Sequence, residues 1–89
     1  PDDYCGLLLA AKGSLAQNRP EEAERYVKAA EQANPAEAQA YHIGGMAALR
    51  LKRYEAALQS FDAYERKLPG NPNTVFFKGY SLEGMRRRE

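Results

Sequence analysis

A nucleophile needs a base beside it, and this chain offers one thiol, Cys5, and one imidazole, His42. The two could pair in principle. No third group to orient the imidazole and no oxyanion hole accompanies them, so His42 reads as a packing or surface residue. A zinc site needs three or four ligands, and no second His or Cys exists to supply them. Glu21, Glu22 and Glu24 stand where a helix begins, where carboxylates suit the positive end of the helix dipole rather than forming an acid and base pair. Gly44-Gly45 lies inside an apolar helical stripe and reads as close packing, not as a phosphate loop. No catalytic residue, cofactor or metal site is therefore expected.

Composition narrows the class further. Thirteen basic and 12 acidic residues leave a net charge of +1, with the signs interspersed, which argues against nucleic acid as a partner. Arg86-Arg87-Arg88 reads as a solvated helix end. No apolar run approaches the ~20 residues that cross a bilayer, so membrane insertion is not expected. A hydrophobic fraction of 44% suits a folded chain. The single cysteine excludes an internal disulfide and leaves the compartment open between cytoplasm and periplasm. The chain opens at Pro1 without an initiator Met and carries no targeting segment, so a segment of a longer protein is expected.

Five helices follow from apolar residues at 3–4 spacing, over residues ~3–17, ~19–33, ~36–52, ~54–67 and ~72–86. No stretch alternates as a strand does. Asn18, Asn34 and Asn71 are candidate N-caps, and Asn18 with Glu21 and Asn34 with Glu37 have the spacing of capping boxes. Pro35 and Pro72 fit a first helical position. Pro69-Gly70-Asn71 breaks the chain firmly. The connections are short, which forces neighbouring helices antiparallel.

A period of 34 residues organises these helices. Arg19, Arg53 and Arg87 share it, as do Glu21, Glu55 and Glu89, Ala23 and Ala57, Pro35 and Pro69, and Gly45 and Gly79. A fixed period of this length marks stacked helical repeats. The chain resembles the tetratricopeptide repeat over essentially its whole length. Leu7, Tyr41 and Val75 take the family's bulky first-helix position. Ala11, Gly45 and Gly79 take the small position where two helices touch. Ala23 and Ala57 take the second small contact, and Val27 and Phe61 the large plug. Tyr54 takes the aromatic that opens the second helix.

Some positions depart from the pattern. Pro20 stands for the opening aromatic, Gly44 for a Leu, Tyr64 for a small residue and Lys78 for an apolar one. Tyr64 is expected to fill the space that Gly44 leaves.

The resemblance implies an all-α fold. Antiparallel helix-turn-helix repeats stack as a short right-handed superhelical solenoid of five helices: repeat one at about 4–35, repeat two at about 38–69 and a partial third at 72–89. It also implies a concave groove lined by the first helices. The groove residues are Leu8, Leu9, Lys12, His42, Ile43, Met46, Arg50, Phe76, Phe77 and Tyr80. Leu8, Lys12, Met46, Asn73 and Phe77 stand where the family's carboxylate clamp for chaperone tails would be, and they do not build it. The groove is instead apolar and aromatic, which suits recognition of apolar side chains. The expected function is a non-catalytic protein–protein interaction module that binds a peptide or protein segment. The alternative is a structural segment that self-associates through Val75, Leu82 and Met85 of its last helix, or docks onto the rest of a larger protein. Repeats of this family are often appended to bacterial envelope and assembly proteins, including zinc peptidases. This chain has no His-Glu-x-x-His and could serve such an enzyme only as a docking arm.

Overall fold

A computed structural model describes residues 4–88 as five α-helices in chain order: α1 (Tyr4–Ala16), α2 (Pro20–Ala33), α3 (Gln39–Arg50), α4 (Tyr54–Lys67) and α5 (Pro72–Arg88). The register of Glu89 and the expected helix start at residue 3 lie outside the described residues. Each helix packs on the next, and α1 also meets α3. The extents of 40 × 28 × 17 Å describe a slab two helices thick, given axial spacings of ~8–10 Å. This is the expected all-α helical-repeat solenoid.

The 34-residue period reappears in the backbone. Asn18 (φ 62°) and Lys52 (φ 59°) both take the left-handed conformation. The Arg19 N–H donates to the Ser14 carbonyl and the Arg53 N–H to the Ala48 carbonyl, at 2.7 and 2.8 Å. The Asn18 and Lys52 N–H groups donate to the Leu15 and Leu49 carbonyls. This is the Schellman geometry, which satisfies the last free carbonyls of a helix. Asn18 therefore closes α1 instead of capping α2. The N-cap of α2 is Arg19, without a side-chain capping bond.

Asn34 likewise closes α2, its N–H bonded to the Ala30 carbonyl. The Glu37 N–H donates back to the Asn34 carbonyl. This turn delays α3 to Gln39, three residues beyond the expected start, and leaves Pro35 outside it. The side chain that caps α3 comes from afar: the Ala40 N–H donates to the Tyr4 hydroxyl at 3.2 Å. Only Asn71 caps as its sequence suggests, with its Oδ1 accepting from the Asn73 N–H at 2.9 Å and Pro72 in the first turn.

The core is built from small residues and a few plugs. Ala11, Ala23, Ala30, Ala40 and Ala47 surround Val27 and Ile43, and all are buried. A second cluster joins Ala48, Ala57 and Phe61. Phe61 is fully buried over Gly45, where a Cβ would lie only 2.6 Å from its ring. Small residues let the helix backbones approach, and the aromatic ring fills the remaining space. Gly84 plays the same part for α5: a Cβ there would overlap the Tyr54 ring.

Tyr64 does not fill the space beside Gly44. Its ring packs against His42, 5.2 Å between centroids, and its hydroxyl accepts from Asn71 at 3.3 Å. The nearest atoms to a Cβ on Gly44 belong to Val27, Ser60 and Glu31. Tyr64 and Gly44 face different sides of the stack, and the space at Gly44 stays open. Lys78 holds its helix by charge instead of apolar contact. Its ammonium donates to Asp62 and Glu65 of α4, at 2.9 and 2.7 Å. These bonds raise the lysine pKa and lower that of Asp62.

Candidate functional site: the face of the first helices

The 34-residue register sorts the candidate groove residues into columns. Leu8, His42 and Phe76 form one, Lys12, Met46 and Tyr80 a second, and Leu9, Ile43 and Phe77 a third.

The third column is a stacking face. Ile43 is buried among α1 and α2 residues, which removes it from any solvent-facing groove. Phe77 packs on the second core cluster and stacks on Phe61, with centroids 5.2 Å apart and planes at 12°. Leu9, the first of that column, is 69% exposed.

The first two columns are accessible. Phe76 and Tyr80 are exposed, as is Lys12, while Leu8, His42 and Met46 are half-buried. His42 ties the columns to the core. It meets Phe61, Tyr64 and Phe77 at 5.8, 5.2 and 5.7 Å between ring centroids. Phe76 leans edge-on against Phe77 at 5.4 Å. A run of aromatic rings thus passes from the interior to the surface. Such edge-to-face contacts add roughly 0.5–1.5 kcal/mol each beyond burial.

Charge on this face is sparse. Burial pushes the His42 imidazole below its ordinary pKa, and the Lys12 charge pushes it the same way. The ring is thereby held neutral at pH 7. Arg50 is partly committed, its guanidinium donating to the Leu15 carbonyl at 3.0 Å, near the end of α1. That bond fits a cation to the negative end of a helix. Lys12 is the exposed cation of the two accessible columns.

Sequence reasoning missed a second feature, a cleft on the opposite side between α2 and α4 that holds Glu31 and Ser60. The signal was present: Gly44 and Lys78 share a register, as do Glu31 and Glu65. Among the described residues no group of three His, Cys, Asp or Glu side chains could hold a metal ion. No helix there is long and apolar enough to cross a membrane.

A family model for the tetratricopeptide repeat matches residues 8–72. No curated protein matches the chain. The matched span runs from the first groove residue to the start of α5, and it includes both Schellman turns and the Gly45–Phe61 contact. Proteins of this family typically bind protein partners or act as scaffolds, and typically are not catalysts. With its paired antiparallel helices, its 34-residue register and this match, the chain belongs to the tetratricopeptide repeat family.

Proposed function

We propose that this chain is a non-catalytic interaction module that holds a protein or peptide segment against the faces of α1, α3 and α5. The module consists of repeats at about 4–35 and 38–69 and a partial repeat at 72–89. The observation that carries this reading is the exposure of Phe76 and Tyr80, at 65% and 55%, in register with the half-buried His42 and Met46. Water-facing aromatics that share a face with a thioether offer an adaptable apolar surface. The recognised segment presents apolar side chains to Phe76, Tyr80 and Met46, with an acidic residue toward Lys12. Nucleic acid is not its partner.

The test is to select binding peptides by display on the intact chain and to map them by NMR. Binding should shift His42, Met46, Phe76 and Tyr80. Phe76→Ala with Met46→Ala should weaken it at least tenfold, as loss of central apolar anchors does. Unchanged affinity in that double variant would sink the groove.

A second reading is favoured by a different observation. Val75 and Leu82 of α5 are 63% and 51% exposed, and nothing lies within 4 Å of a Cβ on Gly79 between them. This open face would pair two copies of the chain. Light scattering over a range of concentrations decides it: a strict monomer throughout rejects self-association.

A further inference from the structure

On the side away from the groove, an open cleft of about 310 Å³ lies between α2 and α4 with α3 as its floor. Gly44 forms that floor. A Cβ there would stand 3.0 Å from Val27 Cγ1, 3.8 Å from Ser60 Oγ and 3.9 Å from a Glu31 carboxylate oxygen. A carboxylate and a hydroxyl therefore flank the space above the glycine, with Val27 and Ala48 as apolar walls. No hydrogen bond or ion pair to Glu31 forms among the described residues. Burial pushes its carboxyl up, and the Lys28 charge only partly opposes this. Lys28 lies near this half-buried carboxylate without forming an ion pair with it among the described residues, which leaves room for a closer cation.

The molecule itself shows what that partner is. Thirty-four residues on, Gly44 becomes Lys78, Glu31 becomes Glu65 and Lys28 becomes Asp62. There the Lys78 ammonium lies on the two carboxylates of α4, 2.7 Å from Glu65 and 2.9 Å from Asp62. At Gly44 the side chain is absent and the carboxylate of the same register remains. The geometry points to the Gly44 cleft as a binding site for a lysine side chain of a partner protein. Its methylenes lie over Gly44 between Val27 and Ser60, and its ammonium lies on Glu31. A charge-assisted bond of this kind is stronger than a neutral one, and the stem covers apolar surface on the way in. Lys28 stands where Asp62 stands, and Glu24, the other carboxylate lining the cleft, is held by Arg53 at 2.6 Å, so this cleft offers one uncommitted carboxylate where the second place offers two. A single lysine side chain therefore binds weakly here, and the rest of the partner supplies further contacts.

The test is an NMR titration of the whole 89-residue chain with N-acetyl-lysine methylamide. N-acetyl-norleucine methylamide, of similar shape without the charge, is the control. Saturable shifts should appear at Glu31, Gly44 and Ser60 with the lysine probe and not with the control. Glu31→Gln should weaken the response roughly tenfold. Lys28→Asp should tighten it severalfold by restoring the second carboxylate. Gly44→Lys should abolish it, because the new side chain occupies the cleft from within. If crowding at Val27 unfolds that variant, Glu31→Gln and Lys28→Asp decide the question alone. Equal shifts from both probes, no saturable shift, or indifference to these two substitutions would overturn the site.

Discussion

Helices α3 and α5 occupy the same register and differ in what covers them. On one side they are alike. Ala40, Ile43 and Ala47 of α3 are buried against α1 and α2, and the corresponding Thr74, Phe77 and Ser81 of α5 are buried or half-buried beside α4. On the other side they part. Gly45 and Ala48 of α3 lie under α4, whereas Gly79 and Leu82 of α5 face open space. The same face is core in one helix and surface in the other. In a stacked fold, the neighbour decides what a residue does, and residue type alone does not. This also explains why the exposed aromatic and apolar residues concentrate on α5.

The sharpest way to break the comparison is to remove the residue that serves both helices. Phe61 lies over Gly45 of α3 and stacks on Phe77 of α5. Phe61→Ala should cost about 3–5 kcal/mol in chemical denaturation. A loss below ~1 kcal/mol would mean that neither contact has the importance assigned to it. Next come two glycines of the same register. Gly45→Ala drives a methyl group into the Phe61 ring and should cost about 1–3 kcal/mol. Gly79→Ala meets nothing within 4 Å and should gain up to ~1 kcal/mol from helix propensity. Equal effects of one sign would erase the distinction between a covered and an open face.

Thr74 tests the buried side of α5. Its hydroxyl is buried without a partner among the described residues, at the register where α3 has Ala40. Thr74→Val should therefore gain about 1 kcal/mol, read as a rise in the denaturation midpoint. The smallest effect concerns His42, whose register partner on α5 is Phe76. The imidazole pKa is lowered in the fold, first by burial and then by Lys12, so the fold favours the neutral ring. Its stability contribution is fully present above the ordinary value of 6.5 and is lost as pH falls from there toward the lowered value. Midpoints compared at about pH 7.5 and 5 should fall more for the wild type than for His42→Gln.

Much of this arrangement was legible in the sequence. The period fixed the helix pairing, and Gly45 with Phe61 was readable as a small residue under a large one. The helix ends were harder. An Asn before a helix looks like an N-cap, but at Asn18 and Asn34 the preceding helix claims the residue first, through bonds to Leu15 and Ala30. The cap of α3 was invisible because Tyr4 reaches it from 36 positions away. Three groove candidates separated for a similar reason. Leu9, Ile43 and Phe77 share a register, yet Leu9 is exposed, Ile43 is buried among α1 and α2 residues, and Phe77 packs on α4. Gly44 and Tyr64 looked like compensating departures, and only the packing shows that they face different sides of the stack.

The most direct test of the central claim, that the accessible columns of the first helices receive a protein segment, is the NMR map of a display-selected peptide on the intact chain. Perturbations that follow His42, Met46, Phe76 and Tyr80 across α3 and α5, and that disappear with Phe76→Ala and Met46→Ala, are the predicted result. A peptide that perturbs other surfaces and leaves these four residues unmoved would contradict the account.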